Sequence, residues 1–255
     1  MSSLSPEAGS SDANVEPITI YAMRGSAPCR AVIILARILN IPHEIVEVDL
    51  HSGEHKSDWF LQINPQHCLP TITDKSGALW ESRAIMLHLM ATIGERTSPA
   101  RTHQLIGATQ PMNPNAAAHV LRGLFWDAQT LYPAIANYIY PQLFQSVPAP
   151  QLSAQRSALD SAIVSLFEQI DAARHRSTNR HSPWFCGTLE PTVADLAIAI
   201  SLTMLQFVPD VLEVHAKVQP YVDQVAWRFE PHWSDVNRGF DEWLASMAER
   251  VSGEP

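Results

Sequence analysis

Cysteine is scarce. Three residues in 255, Cys29, Cys68 and Cys186, are too few and too odd a number for a disulfide framework. They read as reduced thiols of a cytosolic chain. None belongs to a CxxC pair or to a Cys/His cluster with metal-ligand spacing, so no metal is expected. Basic residues are also few. Lys and Arg total 17 against 26 Asp and Glu, a net charge of −9, which argues against a nucleic-acid partner. The densest basic stretch, Arg174, Arg176 and Arg180, has no interleaved aromatic residues and reads as a solvated loop. Long apolar runs are missing. The longest, Leu196–Leu205, is interrupted by Ser201 and Thr203 and is shorter than the roughly 20 residues a bilayer requires. The Ser-rich opening, Met1–Val15, lacks Lys, Arg and any apolar centre; it reads as a disordered tail, not a signal peptide.

What remains is an ordinary globular composition, 46% apolar, in a chain long enough for two modest domains. Ile18–Met23 is β-branched and aromatic and predicts a strand. Arg24–Pro28 breaks it. Cys29, Val32, Ile33, Ala36 and Leu39 then repeat at helical spacing up to Asn40. Glu44–Leu50 alternates like a strand, completing a βαβ unit. After an irregular stretch, 52–63, Thr71–Thr73 and Ala78–Trp80 flank a turn at Asp74–Gly77 and predict a hairpin. Ser82–Ile93 is helical. Residues 95–114, with Pro99, Pro111 and Pro114, read as a linker. Beyond it only helical patterns occur: Asn115–Phe144, Leu152–Arg174, an almost wholly apolar Thr192–Phe207, Val211–Phe229 and Asp235–Arg250. The predicted domains are therefore 16–94 and 115–250.

Four strings in this order carry a resemblance: YAMRGSAPCR (Tyr21–Arg30), SGEH (Ser52–His55), NPQHCLPT (Asn64–Thr71) and WESRAI (Trp80–Ile85). Together with TLY (Thr130–Tyr132), YPQLF (Tyr140–Phe144) and TVADL (Thr192–Leu196), they make the chain similar to cytosolic glutathione transferases, most of all the insect-type delta and epsilon classes. The likeness covers roughly 16–210. It weakens in the long linker, in an insertion at Arg174–Ser182 and after Pro231. The resemblance implies an α/β thioredoxin-like N-terminal domain followed by an all-α C-terminal domain, paired into a homodimer. It also implies glutathione as co-substrate, a hydrophobic electrophile as its partner and, at the same site, possible glutathione-dependent peroxidase activity. A carrier that binds a hydrophobic ligand without turnover is the alternative.

The chemistry needs a thiolate. A model thiol has a pKa of about 8.5, and lowering it by about two units requires roughly 2.7 kcal/mol of preferential stabilisation. A hydroxyl donor and a helix N-terminus can each supply part. Ser26 precedes a helix, where alone it would be only an N-cap; the resemblance implies that it is the thiolate-stabilising serine. Tyr21 is a rival hydroxyl, and Cys29 a helix-face thiol in a CxxC-like frame whose first Cys is Ser. The resemblance further implies a cis bond at Pro70, presenting the Leu69 backbone beside Cys68 to the cysteinyl part of glutathione. Glu81, Ser82 and Arg83 would hold the γ-glutamyl end at a helix N-terminus. His55 and His67 would reach the glycine end. An apolar pocket is expected from Met23, Phe125, Ala128, Tyr132 and Phe207, of which Phe125, Ala128 and Tyr132 share one helical face. Thr192 and Asp195 have capping-box form and read as structural.

Overall fold

The computed structural model describes residues 15–108, 114–144, 148–176 and 180–252. The expected N-terminal tail, except Val15, lies outside these residues, as do parts of the linker and of the 174–182 insertion.

Residues up to Gly94 form a thioredoxin-like α/β domain. The strands are β1 (Ile18–Ala22), β2 (His43–Glu47), β3 (Thr71–Asp74) and β4 (Gly77–Trp80), in the sheet order β2-β1-β3-β4. β1 runs parallel to β2, with Ile18 opposite His43, and antiparallel to β3, with Tyr21 opposite Thr71. The parallel pair follows from the crossover helix α1 (Ala27–Ile38) between them. Alternation along β1 divides its side chains. Ile18, Ile20 and Ala22 enter the core with Val32, Ile34 and Leu35 of α1. Tyr21 faces the other way, its ring 5.9 Å from Phe60 and 6.2 Å from Trp59 of the short helix α2 (Asp58–Leu61). The ring of Tyr21 is thus committed to packing against α2. β2 ends at Glu47, earlier than the alternation to Leu50 predicts. α3 (Ser82–His88) follows the hairpin and continues through a wide π-type turn, Leu89–Gly94.

The stretch read as a linker is itself helical where it is described, as α4 (Glu95–Thr97) and α5 (Pro99–Leu105), with Leu105 buried. The C-terminal region is all helical: α6 (Pro114–Trp126), a second π-type turn at Asp127–Leu131, α7 (Tyr132–Phe144), α8 (Ala149–Arg176), α9 (Val193–Thr203), α10 (Pro209–Val214), α11 (Val218–Arg228) and α12 (His232–Ser252). Every residue of α9 is buried. It is the hub: α1, α6 and α11 all pack on it, and α12 closes against α1. Its apolar sequence is thereby explained, since a helix enclosed on all sides has no polar face to spend on solvent.

Candidate functional site

The turn after β1 brings the chain to the mouth of α1. Ser26 is the N-cap, in extended backbone conformation, and its Oγ accepts one long bond, 3.4 Å, from the Cys29 amide. Pro occupies the first turn and no acidic residue stands there. Gly25 beside it packs closely on α12: a Cβ there would stand 3.0 Å from the Trp243 ring. Cys29 is wholly buried, and burial pushes its thiol up to about 11, against the lowering by Ser26 and Arg30. That thiol is no nucleophile at neutral pH.

The second component is the loop before β3. Asn64, fully buried, donates from Nδ2 to the Cys68 carbonyl at 3.1 Å, to Cys68 Sγ at 3.4 Å and to Thr71 Oγ1 at 2.8 Å. Its Oδ1 accepts from the Gln66 amide at 2.8 Å. This ties down the turn in which the Leu69–Pro70 bond is cis and His67 has a left-handed backbone. His55 and His67 face each other with ring centroids 6.0 Å apart, and His55 Nδ1 is buried without a partner. Burial, then Lys56 and His67, draw the His55 pKa down, favouring the neutral ring.

The third component is the start of α3. Glu81 is exposed and holds a positive φ of 71°, which a non-glycine residue rarely adopts. Ser82 is nearly buried, and Arg83 Nη1 donates to its Oγ at 2.7 Å. Arg83 Nη2 bonds Asp127, a fully buried carboxylate at the π-type turn below α6. The pair joins the two regions of the chain. It is incompletely satisfied: Arg83 Nε and Asp127 Oδ1 are buried and unpartnered. Burial lowers the Arg83 pKa to about 10, so it stays charged at neutral pH.

The expected apolar pocket is only partly assembled. Met23 lines a cleft of about 260 Å³ with Gly25, Val48 and Trp243. Phe207 packs on that same Trp243, with centroids 5.3 Å apart. Tyr132 does not line that cleft; it is half-buried at the start of α7, its hydroxyl 3.1 Å from that of Tyr140. Phe125, however, is 56% exposed, and Ala128 is exposed as well. The physical reason is the π-type turn at Asp127–Leu131, which widens the helix and breaks the seven-residue register that would align Phe125 with Tyr132.

Sequence reasoning did not single out Asn64, Asp127 or Arg30. Asp127 carried a signal, a lone acid inside an apolar helical stripe. Arg30 is fully buried, bonds Asn237 of α12 and lies 3.9 Å over the Phe240 ring. Among the described residues no group of His, Cys, Asp or Glu could hold a metal ion. None of the described helices is long and apolar enough to cross a membrane.

Residues 16–91 match the family model for the glutathione S-transferase N-terminal domain. Over those residues the chain carries an N-terminal domain of the glutathione S-transferase kind. The likeness extends well beyond that domain. The chain is similar to a delta-class glutathione transferase of Nilaparvata lugens, with 28% identity and a TM-score of 0.73, covering 91% of this chain and 100% of that one. It is similar to a glutathione transferase of Bombyx mori, with 27% identity and a TM-score of 0.74, covering 91% and 98%. The human transferase T1-1, at 23% identity, a TM-score of 0.70 and coverage of 90% and 99%, shares the fold. The three site components described above lie within the matched residues, 16–91.

Proposed function

We propose that this protein binds glutathione across the mouths of α1 and α3, holds its sulfur as thiolate with the Ser26 hydroxyl, and adds it to a hydrophobic electrophile. The observation that carries the reading is the mouth of α1. A hydroxyl sits at an uncrowded helix N-terminus, with no first-turn carboxylate to spend the positive end of the dipole. In this reading the Ser26 O–H turns from capping to donate to the sulfur. The γ-glutamyl carboxylate sits on the α3 N-terminus, with Ser82 and Arg83, and Glu81 accepts from the α-amino group. The Leu69 backbone beside Cys68 and Pro70 meets the cysteinyl unit, as an added strand would. His55 and His67 take the glycine carboxylate. The orphaned atoms Arg83 Nε and His55 Nδ1 support a polar ligand at both ends.

Met23, Tyr132 and Phe207, with Trp243, form the electrophile wall in this reading, while Phe125 and Ala128 stand at its outer edge. The same thiolate would attack the O–O bond of a hydroperoxide, so peroxidase activity belongs to the proposal. We further read the enzyme as a cytosolic homodimer of domains 16–94 and 115–250, joined through residues 95–114, and the exposed Leu121 and Phe125, one turn apart on α6, support an apolar contact face. The test is turnover: purified protein, glutathione and a nitro-activated aryl halide should give thioether product at a rate saturable in glutathione. Saturable glutathione binding with no conjugate from any electrophile would replace the enzyme by a carrier.

A further inference from the structure

Arg30 stands one helical turn beyond Ser26, about 6 Å along the axis of α1, and its amide donates to the Ser26 carbonyl at 3.0 Å. Its side chain has no solvent exposure. Buried arginines are ordinarily paired with a carboxylate, because an unpaired buried charge is costly. This one is held by uncharged groups from the C-terminal region. Asn237 Oδ1 accepts from Nη1, Met204 Sδ from Nη2 at 3.7 Å, and the Phe240 ring lies 3.9 Å beneath the guanidinium. Nε has no partner.

The cleft that Arg30 lines also holds Arg24 with Glu47 and Arg37 with Asp235, two ion pairs whose charges offset one another. Tyr132 and Tyr140 of α7 and Cys29 of α1 are all pushed upward by burial and are neutral at physiological pH. Asp241 of α12 is the carboxylate that acts on it most; it is exposed, so water screens the attraction. Burial draws the Arg30 pKa down to about 9, which still leaves the side chain charged at neutral pH. The field of this cation is therefore opposed chiefly by one screened carboxylate and by no hydrogen-bonded one. It already acts on the Cys29 thiol in the sense that favours a thiolate.

We propose that Arg30 is a positioning residue for the reacting sulfur: a buried cation, clamped by α12 and hydrogen-bonded to no carboxylate, that raises the positive potential at the mouth of α1 and so favours the glutathione thiolate beside Ser26. The inference rests on the Ser26 reading. It adds a role for the C-terminal helix, which acts on the thiol through Asn237 and Phe240 while contributing no atom to it. A unit charge acting across about 10 Å at an effective dielectric of about 20 moves a pKa by roughly one unit.

The experiment is an ultraviolet titration of the thiolate of saturating glutathione on the wild type and on Ser26→Ala, Arg30→Lys, Arg30→Met and Asn237→Asp. Asn237→Asp keeps the shape and the hydrogen bond to Arg30, gives up the 2.9 Å donation from Nδ2 to the Trp233 carbonyl, and places a neutralising carboxylate on Arg30. It is therefore expected to fold even where Arg30→Met does not. The midpoint should rise by about one pH unit in Arg30→Met and in Asn237→Asp, and stay within a few tenths in Arg30→Lys. Glutathione affinity should hold within about threefold in all three, and the pH profile of kcat/KM should move with the midpoint. A depressed wild-type midpoint that Ser26→Ala raises, but that neither Arg30→Met nor Asn237→Asp moves, overturns the role of Arg30 and leaves Ser26 standing. If Arg30→Met does not fold, an Asn237→Asp midpoint equal to wild type overturns that role by itself. A wild-type thiol that titrates like free glutathione removes both.

Discussion

Of the helices that begin at a hydroxyl residue, α1 and α9 are built in opposite ways. At α9, Thr192 is fully buried and its amide is taken by Asp195 Oδ2 at 2.8 Å. Asp195 also accepts from Thr192 Oγ1 at 2.8 Å, from the Phe185 amide at 2.7 Å and from the Tyr221 hydroxyl at 2.9 Å. The carboxylate in the first turn consumes the positive end of the helix, and every group is spent on structure. At α1, Ser26 makes one long bond, no acid follows, and the next charged side chain is the buried Arg30. That end keeps its donors and its potential for an incoming anion. A closed cap stabilises the fold, whereas an open one keeps part of that stabilisation available for a ligand. The same residue class at the same helical position therefore serves different ends, and the first turn decides which.

If this contrast is sound, substitutions at the two helix starts should separate stability from catalysis. The largest effect is expected from Asp195→Ala, which strands four donating groups in the core. It should lower the unfolding free energy by about 3 kcal/mol or more, read by denaturant melts. Glutathione affinity of whatever remains folded should be unchanged. Ser26→Ala should do the converse. It should lower kcat more than tenfold, keep the KM for glutathione within a few-fold, and cost no more than about 1 kcal/mol of stability. An equal loss in kcat/KM through KM alone would reduce Ser26 to a binding group. Ser82→Ala sharpens the picture at a third helix start: KM for glutathione should rise several-fold at constant kcat. Unaltered glutathione binding would mean the γ-glutamyl end lies elsewhere. The smallest effect is expected from Thr192→Ser, which keeps the capping hydroxyl. It should change the unfolding free energy by less than about 1 kcal/mol, and a larger loss would show that the methyl group and not the cap carries that position.

Much of this was legible in the sequence because local chemistry was strong there. The β1-α1-β2 unit, the hairpin and the buried α9 all follow from periodicity, and their boundaries moved by only a few residues. The cis bond at Pro70 came from the resemblance; nothing local distinguishes Leu69–Pro70 from an ordinary trans pair. What stayed hidden depends on contacts distant in the chain. Arg30 lies in a helix whose apolar stripe is readable, yet its burial is set by Asn237, some two hundred residues away. Asp127 is the partner of Arg83 only because α6 is brought over α3. The two π-type turns left no pattern in the apolar spacing, and the second of them separated Phe125 from Tyr132 despite the seven-residue interval. Pro-rich composition marked 95–114 as a linker but did not reveal the short helices within it; prolines at a first helical position, such as Pro99, start helices as readily as they end them.

The central claim is that the open mouth of α1 makes glutathione a better nucleophile, and it is tested most directly on the bound thiol itself. Thiolate absorbance of saturating glutathione would be followed against pH on the wild type and on Ser26→Ala. The account predicts a wild-type midpoint roughly two units below that of free glutathione, and recovery of most of that shift when the hydroxyl is removed. A bound thiol with the same midpoint as free glutathione, in a protein that binds it saturably, would contradict the account.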